Sequence, residues 1–287
     1  MSKLLRGDFI KLFKSKIFWL GFIFMAGLAS LATWTKYKDL LENPDYYNPP
    51  DGILLAGAMY IGIVIAVVIG VFIGSDYSYG TVRNKHIMGH SRVAMYLSNL
   101  IISVTAAEIM HIVYMAVIIG ASVAGIIRKF EMSAENIATL IFISVFSVAA
   151  LTSVIVLVCM LVSSRTAGSI SVIILSLVLI MAANTIYFRL LEKEYTQPYD
   201  YTFTNEYGEE IEIHKEVTKN PKYLTGTTRK IYLFFNDLLP NNQIMQLSYD
   251  YYDESPNHTE SFPLYSLSLI VVTTATGVLV FRRKDLK

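Results

Sequence analysis

The sequence predicts an all-α polytopic membrane protein: six transmembrane helices, an N-terminal amphipathic helix, and a small α+β extracellular domain between helices five and six. Three observations predict it. Of 287 residues, 54% are hydrophobic and only 16% are charged, where a soluble globular chain has about 25%. The apolar residues gather into six windows, each near or above the roughly 20 residues that a helix needs to cross a bilayer. The basic residues collect in alternate connecting segments, as they do on the cytoplasmic side of membranes.

Residues 1–16 come first. Leu5, Phe9, Leu12, Phe13 and Ile17 follow helical spacing on one side, and Lys3, Arg6, Lys11 and Lys14 occupy much of the rest. This reads as a basic amphipathic helix at an anionic membrane surface, or as an ordinary positive flank of the first span. The apolar run that follows is too long for a cleavable signal peptide, and no small-residue cleavage pattern precedes Trp34.

The expected spans are Ile17 to Thr35, Gly52 to Ser75, Val93 to Ile127, Asn136 to Ser164, Thr166 to Phe188 and Ser261 to Phe281. Residues 163–168 join the fourth and fifth as a tight helical hairpin. The lone cysteine, Cys159, lies in an apolar run, so no disulfide forms within the chain. Thirteen Lys and Arg side chains fall on the side of both termini, against Asp8, Asp76 and Asp285. Both termini are therefore expected in the cytoplasm.

Ser75 to Arg92, "SDYSYGTVRNKHIMGHSR", connects the second and third spans. Tyr79, Val82, His86 and Ile87 fall near one face of a short interfacial helix, with Arg83, Asn84 and Lys85 elsewhere. Gly89 can end that helix in a left-handed conformation, and Ser91 can cap the next. No Gly-x-x-x-x-Gly-Lys-Ser/Thr phosphate loop occurs anywhere in the chain. His86 and His90 lack a third ligand for zinc. The segment reads as a surface that another protein grips, or as a plain turn.

Glu108 is the one acidic residue inside a span, and His111 shares its helix face. Charged groups at that depth face a bundle interior or a cavity. Two readings stay open: Glu108 is hydrogen-bonded structurally, to His111 or Asn184, or it belongs to a gate or translocation path. Metal chemistry is disfavoured because the other spans offer no further ligands. Gly70-x-x-x-Gly74 and Gly120-x-x-x-Ala124 fit close helix contact.

Residues 189–260 carry 7 basic and 13 acidic side chains. "YDYTFTNEYGEEIEIHKEV" alternates apolar and polar residues around Gly208, as a hairpin does. "RKIYLFFNDLLPNNQIMQLS" is helical in pattern and interrupted at Pro240. This acidic, Tyr-rich surface suits a cationic amphipathic peptide, or it is a cap that touches no substrate. Asn257-His258-Thr259 matches a glycosylation acceptor, read as incidental.

Three stretches carry a family resemblance. "GSDYSYGTVRNKHIMGHSR", "NDLLPNNQIMQLS" and the terminal "FRRKDLK" resemble the corresponding segments of ABC-2-type transporter permeases of Gram-positive bacteria, the antimicrobial-peptide or lantibiotic type. Their order covers the whole chain. The resemblance implies the ABC-2, or type V exporter, arrangement. Its parts are a helix at 1–16, helices one to five over 17–188, an extracellular domain with a re-entrant helical part at 189–262, helix six at 263–281 and a basic tail at 282–287. It further implies that 79–92 is a coupling helix docking into a separate ABC ATPase subunit, with Tyr79, Thr81, Arg83, Asn84, Lys85, His86, Gly89, His90 and Arg92 as candidate contacts. The chain itself is then not an enzyme and holds no cofactor; two ATPase copies bind the ATP and Mg. A second permease chain, identical or homologous, completes the pathway in a bacterial plasma membrane. The implied substrate is an amphipathic peptide, with lipid, small drug or ion as alternatives, and nucleic acid is not expected as a partner. A membrane sensor or scaffold that binds ligand outside is the alternative of a different class.

Overall fold

The computed structural model describes residues 1–45, 48–162, 164–196, 199–204, 210–215, 217–249 and 259–284, the two segments at 199–204 and 210–215 by their backbone. Six helices are long and apolar enough to cross a membrane. They are α2 (Lys16–Glu42), α3 (Ala56–Ser78, preceded by a 3-10 turn at Asp51–Ile53), α5 (Arg92–Val123), α6 (Ala134–Leu161), α7 (Arg165–Leu191) and α10 (Phe262–Arg283). Two short helices flank the first three spans, α1 (Ser2–Lys14) and α4 (Thr81–Ile87). The connection from α7 to α10 holds α8 (Gly226–Leu238) and α9 (Pro240–Tyr249).

Serine caps set where three of the spans begin. The hydroxyls of Ser91, Ser133 and Ser164 accept from the backbone N–H three residues on, at Ala94, Asn136 and Ala167. Each satisfies one of the free N–H groups at a helix start. The cap at Ser164 starts α7 at Arg165, so the tight connection is shorter than the sequence suggests, and residues 165–168 are already helical.

The inner helices are α3, α5 and α6, while α2, α7 and α10 are buried over a much smaller share of their length. α2 lies on α5 and α3, α7 on α3 and α6, and α10 on α6 and α5. Of the two small-residue patterns, one is used. A Cβ on Gly70 would stand 3.0 Å from the Ser169 Cα, and one on Gly74 3.2 Å from the Arg165 Cα, so α3 and α7 touch backbone to backbone. Gly120 has nothing within 4 Å of a Cβ position.

Among the described residues the expected α+β domain between α7 and α10 is not seen as a separate unit. Strands β1 (Tyr199–Thr204) and β2 (Glu210–Lys215) pair antiparallel, Tyr199 opposite Lys215. Gly208 at the predicted turn and the Asn257-His258 pair lie outside the described residues. Among the described residues the helices of this segment join the bundle, α8 on α7, α9 and α10, and α9 on α6, α7 and α3. Polarity explains why. α8 exposes Ile231, Phe234 and Phe235 and buries Asn236, the reverse of a helix packed in water. Exposed Phe188 and Leu191 of α7 and exposed Leu264 and Leu267 of α10 continue that apolar surface on the helices beside it.

Candidate functional site

The end of the bundle that carries α1, α4 and the C-terminal end of α10 is organised around four charges. Asp8 is the inward residue of α1, in line with buried Leu4 and Leu12. Asp76 lies two residues before the end of α3. Lys85, on α4, reaches between them: its Nζ donates to Asp8 Oδ1 at 2.7 Å and to Asp76 Oδ2 at 3.1 Å. Lys11 donates to the other Asp76 oxygen at 2.5 Å and to the Phe72 carbonyl at 3.1 Å. Ser98 of α5 donates to Asp8 Oδ2 at 2.7 Å. Thus one cluster ties α1, α3, α4 and α5 together.

These groups are deeply placed: Asp76 is 1% exposed, Asp8 4% and Lys85 8%. Burial by itself pulls the Lys85 pKa down, but Asp76 and Asp8 more than reverse this and hold it above the ordinary lysine value. Two acids and two bases cancel in charge. Buried ions are tolerated only when paired and hydrogen-bonded in this way.

A second junction lies beside the first. Arg92 Nη1, at the start of α5, donates to the carbonyls of Arg282 at 2.8 Å and Lys284 at 2.5 Å. Lys284 Nζ donates to the Met160 carbonyl at 2.7 Å and to the Tyr77 hydroxyl at 3.2 Å. Burial lowers its pKa to about 8. The C-terminal end of α10 is therefore clasped to α3, α5 and α6.

The predicted docking segment divides into residues that hold it and residues that face out. Val82 and Lys85 point into the bundle. Tyr79, Arg83, Asn84, His86, Ile87 and Met88 are exposed, and Thr81 and His90 are half-buried. The apolar face is thus not the one expected: Tyr79, His86 and Ile87 do not join Val82 against the bundle. An inward lysine takes that face because two carboxylates wait for it there. Lys85 is consequently not free to meet a partner, and Arg92 is engaged with the tail. Gly89 ends α4 with φ 87°, in the left-handed region, as the sequence predicts. His86 Nδ1 stands 3.5 Å from the His90 carbonyl, across the turn that follows α4.

Among the described residues no hydrogen bond joins the three intramembrane polar candidates. Glu108 is half-buried, and among the described residues neither carboxylate oxygen has a hydrogen-bond partner. His111 is fully buried, with Nε2 2.9 Å from the Ser144 hydroxyl and Nδ1 unpartnered. Asn184 is exposed on α7 and donates to the Ile180 carbonyl of its own helix at 2.8 Å. Among the described residues no three His, Cys, Asp or Glu side chains gather as a metal set.

The opposite end of α3 holds a polar assembly of another kind. Gln243 Oε1 accepts from Ser147 at 2.7 Å and from Ser266 at 2.8 Å, while its Nε2 donates to the Asp237 carbonyl. Asn242 donates to the Ala183 carbonyl and to Asn236 Oδ1, and Gln246 to the Asn236 carbonyl. All of α9 from Asn241 to Ser248 is buried.

Asp8, Asp76 and Lys11 were missed as site residues by sequence reasoning. The signal was present: Asp8 and Asp76 are isolated acids in basic and apolar surroundings, the setting in which a carboxylate needs a specific partner. Among comparisons with known proteins, no family model matches the chain and no curated protein matches it.

Proposed function

We propose that this chain is the permease subunit of an ABC transporter of the ABC-2 class. It couples ATP hydrolysis by a separate ATPase subunit to the export, or extraction from the membrane, of an amphipathic substrate. A cationic antimicrobial peptide is the preferred class. One observation carries this reading. α4 is a seven-residue helix between two spans, anchored beneath by Lys85 and offering Tyr79, Arg83, Asn84, Ile87 and Met88 outward. A helix held that firmly from inside and left that apolar outside suits a docking surface. The resemblance of Ser75 to Arg92 to the coupling segment of these permeases supports the same assignment.

In this reading both termini and α4 lie in the cytoplasm of a bacterial cell, and a second permease, identical or homologous, completes the pathway. Two ATPase subunits close on ATP and move the two α4 helices. Work reaches the membrane because the two membrane conformations bind the closed ATPase pair with different affinity. The ion cluster makes α1, α3 and α5 follow α4. α8 and α9 form a re-entrant cap at the outer end, and the inverted polarity of α8 supports placing it within the apolar layer.

The test is Arg83→Glu in the complex with its ATPase, reconstituted in vesicles. Loss of ATPase co-purification, or hydrolysis no longer stimulated by cationic peptide, is expected. Normal assembly and coupled transport in this variant remove α4 as the docking site. Ligand binding without any ATP-dependent movement of substrate favours a sensor instead.

A further inference from the structure

We propose that the elbow between α1 and α2, with the groove that opens from it between α2 and α3, binds one anionic diacyl phospholipid. α1 ends at Lys14 and α2 begins at Lys16, with extended Ser15 (ψ 120°) between them. Trp19 Nε1 donates to the Phe13 carbonyl at 2.8 Å across the bend and fixes its angle. Trp19 and Phe13 are exposed there, the placement of aromatic residues at a headgroup boundary.

Below the bend lies an apolar groove of about 310 Å³, walled by Ile17, Leu20 and Phe24 of α2 and by Ile63, Val64 and Val67 of α3. Its floor is Gly21. A Cβ there would stand 2.9 Å from both Val68 Cγ2 and Met110 Sδ, so α2 packs too closely on α3 and α5 at this point to carry a side chain. Its apolar lining and its width between two helices suit an acyl chain.

The charge at the mouth selects the headgroup. Lys14 and Lys16 are exposed and form no ion pair among the described residues. Lys11, one turn earlier, is taken up by Asp76. Lys16 adjoins groove-lining Ile17 in the chain, and Lys14, beside Ile10 and Phe13 on the surface of α1, stands across the one-residue elbow from it, so two free ammonium groups sit at the elbow above the groove. A headgroup of net negative charge answers them better than a zwitterionic one, whose phosphodiester already has its own cation. Beside an anionic lipid the pair strengthens binding roughly 30-fold. The site needs only that the protein sits in a bilayer, so it stands apart from the transporter reading.

The test titrates dioleoyl phosphatidylglycerol or dioleoyl phosphatidylcholine into the full chain in neutral detergent, counting bound lipids by native mass spectrometry. One phosphatidylglycerol is expected to bind more tightly than any phosphatidylcholine. Lys14→Gln with Lys16→Gln lowers that affinity roughly 30-fold. Lys3→Gln with Arg6→Gln, an equal charge loss elsewhere on α1, leaves it within about twofold. Val67→Phe fills the groove and expels the lipid; Ile63→Phe repeats this test if thermal unfolding shows the first variant misfolded. The proposal is overturned by equal binding of both lipids, by equal loss in the two charge variants, by lipid retention in both groove variants, or by displacement of the lipid with inorganic phosphate alone.

Discussion

α4 and α9 are both short helices between spans, at opposite ends of α3, and they are held by opposite chemistry. α4 is mostly exposed and hangs on one buried lysine shared by two carboxylates. α9 is almost wholly buried and held by neutral amides and hydroxyls. An ion cluster loses much when one member goes, because the others become buried unpaired charges. An amide network loses one bond at a time, at smaller cost. The first is suited to a part that transmits force as a unit, the second to a part that stays in place.

The largest effect expected is from Lys85→Met. It leaves Asp8 without a cation and Asp76 with Lys11 alone, and lowers stability in detergent by about 3–5 kcal/mol. Combining it with Asp8→Asn, which removes the carboxylate left without a cation, should recover much of the loss in thermal unfolding. The pH dependence has a defined sign. Because folding raises the Lys85 pKa, its contribution is complete below the ordinary lysine value of 10.5 and disappears only as pH climbs through the higher folded value. α4 anchorage should therefore be flat across neutral pH.

At the other end, Gln243→Leu removes the shared acceptor of Ser147 and Ser266 and should cost about 1–3 kcal/mol. A loss as large as that of Lys85→Met would erase the distinction between the two ends. Arg92→Gln weakens the clasp on the tail by about 1 kcal/mol, read as faster proteolysis after Arg282. Arg83→Glu should change stability by less than about 0.5 kcal/mol, which separates the outward face of α4 from its anchor, and under the proposed docking it disturbs ATPase binding.

The spans were legible because an apolar window admits few alternatives in a chain of this composition: each predicted window falls on one long helix, although the third and fourth run past its end, to Ile127 and Ser164 where α5 ends at Val123 and α6 at Leu161. The left-handed end of α4 and the cap at Ser91 were legible because those are local requirements. The inward lysine was not. Helical spacing places Lys85 beside Val82 as readily as it places His86 there, and only the position of Asp8, 77 residues away, decides between them. The fate of residues 226–249 failed for a related reason. Asn, Gln and Ser mark a segment as polar, yet here Asn236, Asn242, Gln243 and Gln246 bond inside the bundle to one another, to backbone carbonyls and to Ser147 and Ser266, while Phe234 and Phe235 face out. Asn184 shows the converse: a polar residue in a span that bonds to its own backbone needs no partner at all.

The grip of Arg92 on the tail also bears on the order of assembly. It holds backbone carbonyls 190 and 192 positions further along, so nearly any side chain can stand there. During synthesis this arginine waits while four spans, beginning with its own α5, are made. Its closure is a late event that registers the arrival of α10 rather than the identity of its residues. Substitutions at 282 should pass unnoticed at this contact, whereas a chain stopped after α7 leaves the first half of the protein with an open end.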